Sequence, residues 1–63
     1  MKTALRVYKN CIDINYEIYG ENEGFYKNVE NIIEWKNRRF ITDEEYSELR
    51  KLNRTRCDEL FPV

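Results

Sequence analysis

The sequence predicts a small α+β domain in which an N-terminal β-hairpin packs against two α-helices, in the order β-β-α-α. Three observations support this fold class. Apolar and polar residues alternate over positions 1–19, an apolar stripe at helical spacing follows a glycine-bounded break, and a helix start signal precedes the last third of the chain. We expect a single domain over residues 1–63, because a chain of 63 residues is too short to bury two separate cores.

The hairpin is predicted over about residues 2–19, with its turn at Lys9-Asn10. From Ile12 to Ile18 every second residue is isoleucine or tyrosine, which is the alternation of a strand with one buried face. When the chain folds back at this turn, apolar residues face each other on one side of the ribbon and opposite charges on the other. The facing pairs include Val7 with Ile12, Leu5 with Ile14, Arg6 with Asp13, and Lys2 with Glu17.

The same segment also fits a helix, because five apolar or aromatic residues recur at helical spacing: Leu5, Tyr8, Ile12, Tyr16 and Tyr19. The segment is rich in β-branched and aromatic residues and poor in good helix formers, so we favour strands. The alternative fold is an all-α three-helix bundle. The sequence leaves the choice between strands and a helix open for residues 1–19.

A loop is predicted from Gly20 to Gly24, where Asn22 or a neighbour would cap the next element. A helix is predicted after it, over about residues 25–37. Its apolar stripe consists of Phe25, Val29, Ile32 and Ile33, closed by the stem of Lys36. We expect this stripe to pack against the apolar face of the hairpin.

The second predicted helix covers about residues 43–60 and has the clearest start signal in the chain. Thr42 to Glu45 form a capping box, and Ile41 is placed to contact Tyr46 as a hydrophobic staple. Pro62 ends any continuation. The predicted inner face consists of Tyr46, Leu49, Leu52 or Asn53, Cys57 and Leu60.

Composition indicates a folded protein and argues against an enzyme. Hydrophobic residues make up 41% of the chain and charged residues 37%, with a net charge of -1, so no strongly basic domain is present. The chain has no histidine, which is the commonest general base and zinc ligand, and no glycine-rich phosphate loop. We therefore predict no catalytic residues, no cofactor and no metal site.

The sequence contains no long apolar run, and Met1-Lys2 leads directly into alternating residues rather than into a signal peptide. We expect a cytoplasmic protein without a membrane partner. Cys11 and Cys57 are far apart in the sequence, and their pairing is left open. Free thiols are favoured, because no secretory signal is apparent.

Without a catalytic set, function is expected to reside in a surface. The leading hypothesis is a non-enzymatic small protein that regulates or inhibits a larger protein or complex by occupying its surface. Tyrosines and acidic residues supply the candidate contacts, because tyrosine is enriched in interface hot spots. The predicted protein-binding residues are Tyr8, Asp13, Glu17, Tyr19, Glu21, Glu23 and Tyr26.

Two further expectations accompany this hypothesis. The tyrosines can instead wrap around a small core, and the free edges of the hairpin can pair with a second copy as a homodimer. Chain length together with lysine, asparagine and tyrosine usage suggests a small accessory protein of a bacterium or a bacteriophage.

The alternative function is a nucleic-acid-binding regulator that uses the basic C-terminal helix in a helix-turn-helix arrangement. The candidate residues are Arg38, Arg39, Arg50 and Arg54. Arg50 and Arg54 share one helix face, whereas Lys51 and Arg56 point away from it. Acidic residues of the same helix dilute the positive charge, so nucleic acid is the less favoured partner.

Residues 29–60 resemble the helix-loop-helix segment of the Hha and YmoA modulators, which act by binding a nucleoid protein. The resemblance rests on Ile33-Glu34, Phe40 to Asp43 and Arg56 to Leu60. It covers about half of the chain, requires a gap, and involves residues that any capped helix pair can use. That family is wholly helical and does not account for the first 19 residues, so the sequence assigns no family.

Overall fold

The computed structural model describes the backbone of residues 3–63 and the side chains of residues 5–63. In this part of the chain all regular structure is helical, with α1 at Thr3–Tyr19, α2 at Glu21–Asn37 and α3 at Asp43–Leu60. The predicted β-hairpin and the α+β class are therefore wrong, and the alternative of an all-α three-helix bundle is confirmed. Lys2, which the hairpin was predicted to pair with Glu17, lies outside the described residues.

The alternation that predicted strands comes from two apolar stripes on opposite faces of α1. Ile12 and Tyr16 face the core and are almost fully buried, whereas Ile14 and Ile18 face outward and are 51% and 65% exposed. Burial against α2 and α3 stabilises the helical conformation more than β-propensity favours a strand, since propensity is a weak preference that tertiary packing overrides.

A single residue, Gly20, connects α1 to α2. It has a φ of 85° and a ψ of -167°, a conformation that side-chain-bearing residues rarely adopt. The predicted loop from Gly20 to Gly24 is wrong, because α2 begins at Glu21. Gly24 lies where α2 meets α1, and a Cβ atom there would stand 2.9 Å from Cδ1 of Tyr16. The second glycine therefore permits close helix packing rather than a turn.

The turn between α2 and α3 is closed by backbone hydrogen bonds and by the predicted cap. The amides of Arg39 and Phe40 donate to the carbonyls of Lys36 and Trp35, both at 2.9 Å, and Arg39 adopts a φ of 64°. This is a Schellman motif with arginine at the position that glycine usually occupies. The capping box of Thr42 and Glu45 is confirmed, and α3 has the predicted bounds.

The helices run up, down and up around one core, because α1 and α2 are antiparallel and α3 returns alongside α1. The buried apolar residues are Ile12, Tyr16, Ile32, Ile41, Leu49 and Cys57. At one end of the bundle the Tyr8 and Trp35 rings pack with centroids 4.5 Å apart. Ile33, predicted for the inner stripe, is 43% exposed.

Two further features of the described residues bear on the sequence predictions. Cys11 is half-buried and Cys57 is buried, and both are free thiols. Among the described residues, no helix combines the length and the apolar character that a membrane crossing requires.

Candidate functional site

An open groove of about 680 Å³ runs between α2 and α3. The antiparallel helices place an apolar surface of α2 beside a basic flank of α3 along this groove. We call it the α2–α3 groove. Its lining consists of Phe25 and Val29 from α2 and of Tyr46, Ser47, Arg50, Lys51, Asn53, Arg54 and Thr55 from α3.

Aromatic and aliphatic side chains form the floor of the groove and continue beyond it. Phe25 and Tyr46 are half-buried, and the ring of Tyr26 meets that of Phe25 edge-on with centroids 5.8 Å apart. Tyr26 is 68% exposed, and Ile33, one helical turn after Val29, is 43% exposed. α2 therefore exposes apolar surface that packing within the bundle does not bury.

The basic flank of α3 lies over this aromatic floor. The Arg54 guanidinium stands 4.9 Å from the centre of the Phe25 ring, and that of Arg50 stands 5.6 Å from the centre of the Tyr46 ring. Arg50 also donates a hydrogen bond to the Tyr46 hydroxyl at 3.4 Å. Within the part of the chain whose side chains are described, Arg50, Lys51 and Arg54 form no ion pair with a carboxylate. The rings orient two of these cations without neutralising them.

The other side of α3 faces α1, and its charges are paired. Arg56 donates to Asp13 at 2.8 Å and to Glu59 at 2.7 Å. These hydrogen bonds raise the pKa of Arg56 above its ordinary value, with Asp13 as the larger cause. Lys9 of α1 lies 3.3 Å from Glu48. The Arg56–Asp13 and Lys9–Glu48 ion pairs join α3 to α1, and the Arg56–Glu59 pair lies within α3.

The predicted protein-binding residues of α1 are spread over its length. Tyr8 packs on Trp35 and is half-buried. Asp13 is held by Arg56, and Glu17 is exposed beside a small concavity that Asp13 and Arg56 also line. Tyr19 is 41% exposed at the end of α1. Tyr8 and Tyr19 therefore lie at opposite ends of α1.

The remaining predicted protein-binding residues belong to α2. Glu21 and Glu23 are exposed in its first turn, where carboxylates are favoured by the helix dipole. Tyr26 lies beside the α2–α3 groove. The structure thus separates the predicted set, and only Tyr26 adjoins the groove.

The four predicted nucleic-acid-binding arginines divide into two pairs. Arg50 and Arg54 lie one turn apart on the groove, as the shared helix face predicts. Arg38 is ion-paired with Glu34 at 3.0 Å, and Arg39 lies in the turn between α2 and α3. The structure adds Lys51 to the first pair.

A buried network of asparagines joins the three helices, and sequence reasoning missed it. Asn28 of α2 donates to the Ile12 carbonyl at 3.1 Å and to Oδ1 of Asn53 at 3.0 Å. Asn15 donates to Asn28 at 2.8 Å, and the Tyr16 hydroxyl donates to the backbone carbonyl of Asn53 at 2.8 Å. All buried side-chain polar atoms within the described residues have a partner.

Asn53 links this network to the groove. Its side chain is 1% exposed, donates to the Phe25 carbonyl at 3.3 Å, and lies between Arg50 and Arg54 in the sequence of α3. Because the network fixes how α3 is rotated, it directs both arginines to the groove side. An asparagine at a helical core position was the available signal, since the predicted inner face already named Leu52 or Asn53.

Burial favours the neutral form of two titratable groups, Tyr16 and Cys11. Burial raises the pKa of Tyr16 above its ordinary value, and the neighbouring Cys57 adds to the shift. Burial also raises the pKa of the Cys11 thiol. Among the side chains that the structure describes, no three His, Cys, Asp or Glu groups converge as metal ligands would.

Comparison with known proteins found no match to a family model, to a curated protein or to a solved structure. The resemblance of residues 29–60 to the Hha and YmoA modulators therefore gains no support from these comparisons.

Proposed function

We propose that the chain is a non-enzymatic binding protein that regulates or inhibits a larger protein by docking on it through the α2–α3 groove. The observation that supports this proposal most is the position of Arg50 and Arg54, which lie over the apolar floor without a carboxylate partner among the described residues. The fold satisfies the charge of Arg56 internally, whereas these two cations remain available to a partner.

The occupant that fits this surface is an amphipathic segment of the target that carries both apolar and acidic residues. Apolar side chains at helical spacing would cover Phe25, Val29 and the exposed ring of Tyr26, as in helix-in-groove recognition. Carboxylates beside them would pair with Arg50 and Arg54, where bidentate geometry adds orientation as well as affinity. Lys51 extends the basic side of the groove toward solvent.

Nucleic acid is the second candidate, because Arg50, Lys51 and Arg54 form an unpaired basic flank within the described residues. Two observations place it second. The chain has a net charge of -1, and a groove with three bases offers few phosphate contacts. The exposed apolar side chains of α2 would also not contribute to contacts with a phosphate backbone, since such contacts are electrostatic.

A peptide-display selection on the immobilised chain tests the proposal. The probe is a random library of peptides, and the counter-selection uses the variant Arg50→Ala/Arg54→Ala. We expect enrichment of peptides that combine acidic residues with apolar residues at helical spacing, and we expect the variant to lose this binding. The variant Lys9→Ala/Arg38→Ala removes the same charge from sites outside the groove and is expected to retain it.

Two outcomes would contradict this function. One is an enrichment that is the same for the unaltered chain and Arg50→Ala/Arg54→Ala. The other is a mobility shift of random-sequence duplex or single-stranded DNA at low salt that disappears in this variant, with no enriched peptide. The second outcome would establish the nucleic-acid alternative, and each lost phosphate contact would lower the salt slope by about one.

A further inference from the structure

The outward face of α1 carries an apolar stripe that the bundle does not bury. Val7, Ile14 and Ile18 are 58%, 51% and 65% exposed, and half-buried Cys11 lies between them. Successive members are four, three and four residues apart, which is the spacing of the seam in a coiled coil. We call these four residues the α1 seam. It is also the stripe that made the first 19 residues resemble a strand.

We propose that the α1 seam packs against the same seam of a second copy of the chain, with the two helices antiparallel. The seam is self-complementary in this orientation. Val7 of each copy meets Ile18 of the other, and Cys11 of each meets Ile14 of the other. A two-fold axis therefore lies between positions 12 and 13, and one patch serves both sides of the interface, as a symmetric dimer requires.

Charges beside the seam favour the antiparallel orientation. Arg6 and Glu17 are exposed on the same flank of α1, and neither forms an ion pair within the described part of its own chain. In the antiparallel pair, Arg6 of each copy lies level with Tyr19 of the other, which is two residues or about 3 Å along the axis from Glu17, so the long arginine side chain forms an ion pair with Glu17 at each end of the interface. In a parallel pair the two residues would be separated by about 16 Å along the axis, because their positions are eleven residues apart and each residue rises about 1.5 Å.

Sedimentation equilibrium up to millimolar concentration tests the association. We expect a monomer–dimer equilibrium. Ile14→Ser should weaken the dimer about tenfold or more, because it removes an apolar side chain that dimerisation would bury. Ile33→Ser removes a similarly exposed isoleucine from α2 and is expected to leave the equilibrium unchanged. Circular dichroism checks that both variants keep the fold. A monomer at all concentrations would overturn the proposal, as would equal weakening by the two variants.

Cysteine cross-linking tests the orientation. In the background Cys11→Ala, Val7→Cys and Ile18→Cys are prepared as separate proteins, while buried Cys57 stays in place. Diamide oxidation, which accepts the two thiol hydrogens, should link the mixed proteins and leave each protein alone unlinked. If the helices are parallel, each protein should form a disulfide with a second copy of itself, and the mixture should contain no disulfide between Val7→Cys and Ile18→Cys. That result would overturn the antiparallel arrangement.

The flanking charges allow a rescue experiment. Glu17→Arg places like charges opposite Arg6 and is expected to weaken the dimer. Adding Arg6→Glu restores opposite charges across the interface and should recover the affinity of the unaltered chain. A double variant that is no stronger than Glu17→Arg alone would contradict the proposed pairing.

Discussion

Basic residues lie on both sides of α3, but the two sides differ in what these residues contact. On the side that faces α1, Arg56 is held by Asp13 and Glu59, and Glu48 is held by Lys9. On the side that faces α2, Arg50 and Arg54 lie over aromatic rings and meet no carboxylate among the described residues. One helix thus carries a flank whose charges are satisfied by the fold and a flank whose charges are not.

This contrast separates the basic residues that stabilise the fold from those that are free to bind a partner. An ion pair between helices contributes to the packing of the bundle, and its charges are already matched. A cation over a ring keeps most of its electrostatic field available to a partner. A count of basic residues along α3 does not separate these two classes, because the separation depends on which helix each flank faces.

The largest effect is expected from the residue that lies between the two flanks. Asn53→Ala removes the side-chain oxygen that accepts from the Tyr16 hydroxyl and from Asn28, and the side-chain amide that donates to the Phe25 carbonyl, and should lower the free energy of unfolding by about 2–4 kcal/mol. Urea denaturation measures this loss. Asn37→Ala, at the exposed end of α2, serves as the control and should change stability by less than about 0.5 kcal/mol. A similarly small loss in Asn53→Ala would show that the network does not fix α3.

Alkaline pH should disturb the same polar centre without a mutation. Burial raises the pKa of Tyr16 in the folded chain. Below the ordinary tyrosine pKa of about 10, Tyr16 is protonated in both the folded and the unfolded chain, and its contribution to the free energy of unfolding is fully present. Above that pH the unfolded chain loses its proton first, and stability should fall by at most about 1.4 kcal/mol per pH unit.

Unfolding curves between about pH 9 and pH 12 measure this loss. The background Cys11→Ser removes the thiol, whose raised pKa acts in the same direction. Tyr16→Phe should flatten the curve, whereas Tyr26→Phe, at an exposed ring, should leave it unchanged. An identical decline in all three proteins would exclude Tyr16 as its cause.

A smaller effect should separate the two flanks directly. Arg56→Gln removes two short ion pairs and is expected to lower the melting temperature at low salt, with a difference that shrinks at high salt because ions screen the pairs. Lys51→Gln removes an exposed charge from the groove side and should leave the melting temperature unchanged at every salt concentration. Equal effects of the two substitutions would remove the distinction between the flanks.

The smallest effect is expected at the turn that places α3 against α2. Arg39→Gly relieves a left-handed backbone conformation and should stabilise the chain by about 0.5–1 kcal/mol in urea denaturation. Asn37→Gly, within α2, is the matched control and should destabilise. A loss of stability in Arg39→Gly would indicate that the arginine side chain, rather than its backbone conformation, stabilises the turn.

The sequence predicted those parts of the fold that local chemistry determines. The capping box from Thr42 to Glu45 is such a local signal, and α3 was predicted with its observed bounds. The first helix was predicted wrongly, because Ile14 and Ile18 give an outward apolar stripe that, together with Ile12 and Tyr16, imitates a strand. The predicted loop wrongly includes Gly24, because the close approach of this residue to Tyr16 is a tertiary feature.

The candidate site was predictable only in part. The shared face of Arg50 and Arg54 follows from helical spacing and was foreseen. Their aromatic neighbours Phe25 and Tyr46 come from different helices, so the groove depends on how α2 and α3 pack. The predicted set of tyrosines and acidic residues assumed a hairpin face, and without that face its members lie apart.

Chemical-shift mapping by NMR, with a display-selected peptide titrated into the labelled chain, locates the binding surface on α3. We expect shifts at Phe25, Val29 and Tyr46 and at the Arg50 and Arg54 side chains, while the signals of Asp13 and Arg56 stay in place. Shifts centred on Asp13 and Arg56, with the groove unaffected, would contradict the assignment of binding to the unpaired flank.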